Sequence, residues 1–223
     1  MRVAIYSLTR DRLVYSRACF QALRERAGYP FWHHVLDNGS QDGTQEWLRS
    51  EYRPAWFKPE CENLGIARAA NIVLAGLKEK APDLVIKCDN DCMAVSEGIV
   101  ARLVQVFEQT GSNWVLSPRV VGIDHQPKRQ PEIRLAGHPV GPTSIIGGLF
   151  HCVPAEIYFS YRYDETLPLA RGNDGHFCAW LQRQGVRVGY VEDLVVEHYE
   201  TTGGQARRFP DYHARKRQEE GRA

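Results

Sequence analysis

The chain has 223 residues, 43% hydrophobic and 25% charged, with 28 Lys+Arg against 27 Asp+Glu for a net charge of +1. That length suits one large domain, and the composition excludes a mostly disordered chain. The near-balance of charge points to no polyanionic partner globally, so anion recognition has to come from local patches.

No stretch approaches the roughly 18 apolar residues of a membrane-spanning helix. The opening MRVAIYSLTRDR has too short an apolar run for an export signal and suits a first strand. A cytoplasmic location is therefore expected, with the six cysteines reduced. None of them forms a C-x-x-C pair, so small buried thiols are expected rather than structural zinc.

Residues 3–8 form a short apolar run, and 13–26 suit a helix. Residues 33–37 (HHVLD) read as a strand ending on a carboxylate. Asp42 followed by Gln45 marks a helix start, and Trp56 and Phe57 a third strand. Ile66, Ala70, Val73, Leu74 and Leu77 fall on one helical face. LVIKCD (84–89) is a buried strand ending again on a carboxylate. Ser96 is placed to cap the next helix, whose Ile99, Val100, Leu103, Val104 and Phe107 repeat at helical spacing. This strand–helix alternation predicts a doubly wound α/β sheet, mostly parallel, with ligands beyond the carboxyl ends of its strands.

Beyond residue 110 the pattern changes. Residues 114–121 read as a strand, and 122–143, rich in Gly, Pro, His and basic residues, as a long loop. Residues 144–152 read as a strand broken at Gly147-Gly148, 174–184 as a helix, and VRVGYV and LVVEHY as two closing strands. From residue 203 a tail carries Arg207, Arg208, Arg215, Lys216, Arg217 and Arg222 with Asp211, Glu219 and Glu220.

Two segments carry chemistry on their own residues. Asp37-Asn38-Gly39-Ser40-Gln41-Asp42-Gly43-Thr44 ends a strand with acceptors for the N–H groups of a base and donors for ribose or phosphate. It also suits a plain turn, because Asn-Gly and Asp-Gly are common turn pairs. Asp89-Asn90-Asp91 sets two carboxylates two residues apart at a strand end. They can converge on a hard divalent cation, Mg²⁺ or Mn²⁺, together with phosphate oxygens, or form a solvated acidic turn.

Five segments in order, VAIYSLTRDR, VLDNGSQDGT, NLGIARAAN, LVIKCDND and GNDGHFCAWLQRQGVRVGYVEDLVVEHYE, resemble glycosyltransferase family 2 over residues 3–200. The resemblance implies a GT-A fold: one α/β domain over 1–202, a Rossmann-like mixed sheet flanked by helices. Residues 1–110 form its nucleotide-sugar half, 111–202 its acceptor half, and 203–223 a basic tail. It implies a metal-dependent inverting transfer from a nucleotide-sugar, a UDP-sugar first, to an acceptor hydroxyl.

By the same resemblance Ser7, Thr9 and Arg10 lie on the donor side, the first two lining base and sugar. Asp37, with Asn38 beside it, accepts from the base, and Asn63, Gly65 and Arg68 open the helix next to the nucleotide. Ala70 stands where relatives carry a basic residue, and the resemblance leaves open whether Arg68 replaces that contact. Asp89 and Asp91, flanking Asn90, match the metal-binding D-x-D, with Asp91 the direct ligand. His198 either completes the metal site or is an unliganded strand-end histidine. Asp174 matches the catalytic base, with Asn173 where relatives have Glu; as a bare residue it would cap its helix. Gly147-Gly148 fit a close backbone approach to sugar or acceptor, or a bulge. Trp180 stands at a position often basic in relatives and suits the core or a stacking platform.

The acceptor is not named by the sequence; a saccharide, protein or small-molecule hydroxyl is expected. The basic residues Lys128, Arg129 and Arg134 and those of the tail also suit nucleic acid, such as a hydroxymethylated base. Two other readings compete: a sugar-nucleotide pyrophosphorylase, disfavoured because SLTRDRLVYSR contains no glycine, and a non-catalytic module binding nucleotide-sugar or nucleic acid.

Overall fold

The computed structural model describes residues 1–123, 126–167, 173–200 and 202–219; the predicted tail charges Arg222 and Glu220 lie outside them. The strands are β1 (Val3–Thr9), β2 (Trp32–Asp37), β3 (Trp56–Pro59), β4 (Leu84–Cys88), β5 (Cys92–Ala94), β6 (Trp114–Val121), β7 (Ile133–Leu135), β8 (His138–Thr143), β9 (Phe150–Pro154) and β10 (Arg187–His198). The helices are α1 (Leu13–Arg26), α2 (Thr44–Trp47), which runs into a π-helical turn over Leu48–Tyr52, α3 (Gly65–Lys78), α4 (Ile99–Thr110), α5 (Ala155–Ser160), α6 (Asn173–Arg183), α7 (Thr202–Arg208) and α8 (Pro210–Glu219).

All the strands join one mixed sheet in the order β3-β2-β1-β4-β9-β6-β10-β8-β7, with β5 paired to β10. The first half of the chain is parallel: Thr9 lies opposite Asp37, and Tyr6 opposite Lys87. The carboxyl ends of β1, β2 and β4 therefore meet, as a doubly wound sheet requires. The second half departs from the mostly parallel expectation. There β9 runs antiparallel to β4 and β6, and β5 and β8 run antiparallel to β10. The sheet is mixed and flanked by helices.

Helix α4 shows why the predicted helices form. Its buried Ile99, Val100, Leu103, Val104, Val106 and Phe107 make one apolar stripe. Each contributes about 1.5–3 kcal/mol when buried. Helix α3 buries Ala67, Ala70, Val73, Leu74 and Leu77 and packs against β1 and β2. Phe20, Val35, Trp47, Leu48 and Tyr52 form a smaller cluster.

Four sequence expectations are corrected. Ser96 does not cap α4: Gly98 holds the N-cap position in a left-handed conformation, and the Ser96 hydroxyl accepts from the Val195 amide. The predicted loop 122–143 contains the β7–β8 hairpin, held because β8 pairs with β10. The strand expected over 144–152 begins only at Phe150. The two closing strands are one, β10, with a register shift between Val191 and Val195. All six cysteines are free, and no described helix is long and apolar enough to cross a membrane.

Candidate active site

A cleft of about 600 Å³ opens beyond the carboxyl ends of β1 and β4. Thr9, Arg10, Asn38, Asn63, Asp89, Asn90, Asp91, Gly147, Gly148, Asp174 and His198 all line it. Elements far apart in sequence supply them: strand tips, the start of α3, the turn before β9, the first turn of α6 and the end of β10.

Asp91 and His198 form one corner. Pairing of β10 with β5 sets His198 opposite Cys92, the residue after Asp91. The His198 Nδ1–H donates to the Glu200 carbonyl at 2.8 Å, which turns Nε2 toward Asp91 Oδ2 at 3.7 Å. A ring so oriented keeps its Nε2 lone pair free for a metal. Asp91 is 8% exposed. Burial works against its charged form, but the Arg12 guanidinium beside it holds the carboxyl below its usual range. Arg12 Nη1 donates to Asp91 Oδ2 and to Gln205 Oε1, both at 2.8 Å, and Nη2 to Asn90 Oδ1 at 3.0 Å.

Asp89 faces a different partner. Lys87, only 4% exposed, donates to Asp89 Oδ1 at 2.5 Å and to the Gly148 carbonyl. Burial pushes the Asp89 carboxyl up to about 6, with Lys87 pulling the other way. Desolvation favours neutral Lys87, yet Asp89 and Asp174 raise its pKa above the ordinary value. The Gly148 amide donates to Asp174 Oδ2 at 2.8 Å. A Cβ on Gly148 would lie 2.6 Å from Asp174 Oδ1, so only glycine fits there.

A third corner lies at the start of α3. Asn38 Oδ1 accepts from the Leu64 amide at 3.3 Å, and Asn63 Oδ1 accepts from the Gly65 amide at 3.1 Å. The tail reaches this corner from outside. Glu219 accepts a forked pair from Arg10 and a bond from Asn63 Nδ2 at 2.9 Å. Arg215 donates to Asp11 at 2.6 Å, and Tyr212 lies 4.7 Å from the Arg12 guanidinium. Helix α8 therefore spans the mouth of the cleft, and the predicted free basic tail is partly committed to ion pairs.

Several predicted residues sit elsewhere. Ser7 is buried, its hydroxyl between the Cys88 carbonyl and His33 Nε2. Asp37 is fully buried and accepts from Thr9, the Ser40 amide and hydroxyl, and Gln45; its carboxylate braces the turn and is not at the cleft wall. Gly65 is buried at the start of α3. Arg68 is exposed and does not line the cleft, while Ala70 is buried in the core. Trp180 stacks on Phe177 and packs against Tyr161, as a core residue would. Asn173 is buried beside Asp174.

Among the described residues no group of three or more His, Cys, Asp or Glu gathers as a metal cage. Asp91 with His198 still fits a divalent cation whose remaining ligands are phosphate oxygens and water, the usual manner for Mg²⁺. Asp89, pinned to Lys87, stands outside that pair. Sequence reading missed Arg12, Lys87 and Gln205. A lone lysine within the apolar LVIKC was the available signal for Lys87.

The family model for glycosyl transferase family 2 matches residues 9–187. Among curated proteins, none matches the chain. Among solved structures, the mannosyltransferase PcManGT from Pyrobaculum calidifontis, in complex with GDP-Man and Mn²⁺, is 17% identical with a TM-score of 0.68, covering 94% of this chain and 60% of that one. GalNAc-T7 with UDP, GalNAc and Mn²⁺ is 13% identical with a TM-score of 0.72, covering 91% and 45%. S. aureus TarS 1-349 is 15% identical with a TM-score of 0.67, covering 98% and 65%. The chain thus spans between 45% and 65% of the length of these structures, and at such identities the likeness is one of fold, the GT-A fold.

Proposed function

Because the chain belongs to glycosyl transferase family 2, we propose that its cleft binds a nucleotide-sugar with Mn²⁺ or Mg²⁺ and transfers the sugar, with inversion, to an acceptor hydroxyl. One observation carries this reading: Asp91, His198 and Asp174 line a single cleft at the strand tips.

The residues divide the work. Asp91 and His198 would hold the cation, and Asp89, which lines the same cleft, is assigned to its water shell or the ribose. A bound cation neutralises the charge that grows on the departing diphosphate. Thr9, Arg10, Asn38 and Asn63 border the nucleotide. Asp174 has Oδ2 fixed by the Gly148 amide, which leaves Oδ1 to accept the proton of the attacking hydroxyl. The new bond forms between the acceptor oxygen and the anomeric carbon as the carbon–phosphate-oxygen bond breaks. The electron pair leaves with the nucleoside diphosphate, and the proton stays on Asp174. Gly147 and Gly148 let the backbone approach the sugar.

A UDP-sugar is the donor of choice for the first assay, and the acceptor is a saccharide, protein, small-molecule or hydroxymethylated-DNA hydroxyl. Family membership favours transfer over pyrophosphorylase chemistry. Retention of Asp91, His198 and Asp174 in one cleft favours an enzyme over a binding module.

The test is calorimetry of UDP and GDP with and without Mn²⁺, paired with release of nucleoside diphosphate from UDP-sugars. Asp91→Ala should abolish the Mn²⁺-dependent part of binding. Asp174→Asn should keep binding and lower sugar release by at least about 100-fold, within the range expected of a general base. Unchanged turnover in Asp174→Asn, or Mn²⁺-independent nucleotide binding in the unaltered protein, overturns the proposal.

A further inference from the structure

We propose that Lys87 is a positioning residue that holds the carboxylate of Asp89 and, through Gly148, that of Asp174 in one rigid assembly, so that donor and acceptor ends of the reaction are fixed relative to each other. This rests on the function proposed above.

Lys87 lies inside β4 between Ile86 and Cys88, both buried. An ammonium group buried in such a strand is costly unless its charge and donors are matched. For stability alone an apolar side chain would serve as well, because replacing a buried ion pair by packed hydrophobic groups is often neutral or stabilising. The ammonium donates to Asp89 Oδ1 and to the Gly148 carbonyl. The amide of the same glycine donates to Asp174 Oδ2.

Gly148 thus turns its carbonyl to the lysine and its N–H to the base. The missing side chain completes the arrangement: a Cβ there would stand 2.9 Å from Lys87 Nζ as well as 2.6 Å from Asp174 Oδ1. Across the sheet Lys87 lies opposite His151, whose pKa is lowered to about 3 by burial and by Lys87. The neighbour is therefore neutral and does not compete for the two aspartates. Lys87 does not touch the acceptor in this account; it acts through the groups it holds.

Four proteins test this: the unaltered chain, Lys87→Met, Asp174→Asn and the double variant. Turnover is read as nucleoside diphosphate release from UDP-sugars, and binding as calorimetry with UDP and Mn²⁺. Lys87→Met should lower kcat by about 100-fold, the scale of a displacement near 1 Å at a reacting group. The double variant should be no slower than Asp174→Asn alone, because both changes disable one unit. A purely structural lysine would instead multiply the two losses.

Gly148→Ala, which keeps Lys87, should show a similar kcat loss and covers the case in which Lys87→Met fails to fold. A Lys87→Met rate within threefold of the unaltered chain, or multiplying losses, overturns the proposal. Should the unaltered chain release nothing from any UDP-sugar, the functional reading fails, and the crystal structure of Lys87→Met decides this inference alone. A Gly148 N to Asp174 Oδ2 separation grown beyond hydrogen-bond reach supports it; an unmoved contact refutes it.

Discussion

Helix α8 spans the mouth of the cleft, so, on the proposed function, cutting its anchor should tighten nucleotide binding. The perturbation is Glu219→Gln. It removes the charge from a forked pair with Arg10 and weakens the bond from Asn63. Both ends of the Arg10–Glu219 pair keep contact with solvent, with 18% and 33% of their side chains exposed. The pair therefore sits near the top of the surface-pair range, about 1 kcal/mol. If closure of α8 is favoured by that amount, roughly one molecule in six stands open at a given moment. The apparent dissociation constant then exceeds the intrinsic one by the inverse of that fraction, and cancelling the preference, which leaves half the molecules open, should improve affinity about threefold. A chain ended at residue 201 also loses Gln205 from Asp91 and Arg12; with no closed state left, the gain should reach about sixfold, the inverse of the open fraction. Calorimetry with UDP and Mn²⁺ reads both. Weaker binding in the shortened chain would refute the reasoning, because the tail would then be holding the nucleotide rather than excluding it.

Three other outcomes are expected. His33 and His151 have pKa values lowered to about 3, chiefly by burial. The unfolded chain protonates them near 6.5 while the folded chain does not. Stability is therefore whole above about pH 6.5 and falls on acidification toward pH 3, by roughly 3 kcal/mol per pH unit for the two together at most; urea midpoints at pH 7, 6 and 5 that coincide would contradict this. Gly39 has φ +78° and faces the Glu62 backbone 3.0 Å from where a Cβ would stand. Gly39→Ala should thus cost about 1–3 kcal/mol in denaturant unfolding, and a change under 0.5 kcal/mol would contradict the strain argument. Thr9→Val removes one donor from the fully buried Asp37 and should cost about 1–3 kcal/mol, with an unaltered melting profile as the contrary result.

The first half of the chain was legible because its strands are short apolar runs that stop on or just before Thr9, Asp37 and Asp89, and because α3 and α4 carry unbroken helical stripes. Side-chain direction was not. Ser7 lies inside β1 and Asp37 at the tip of β2, yet their hydroxyl and carboxylate turn inward, a choice set by neighbours such as His33 and Gln45 that adjacency in sequence does not reveal. The β7–β8 hairpin was hidden by Pro139, Gly141 and Pro142, which weaken any local strand signal. It exists because β10 offers an edge to pair with. Helix α8 has no buried residue, hence no apolar stripe to detect; charge pairs with Asp11 and Arg10 fix its place.

The slip in register within β10 has a consequence for how this family member tolerates change. Val191 pairs with Pro118, but Val195 pairs with Arg119, so three extra residues are looped out in mid-strand. Strand faces alternate residue by residue. Deleting a single residue from 192–194 would hand the place of His198 to its neighbour Tyr199, and inserting one would hand it to Glu197. The spacing of that small irregularity, as much as the identity of the imidazole, is what heredity must preserve to keep a histidine at this corner of the cleft.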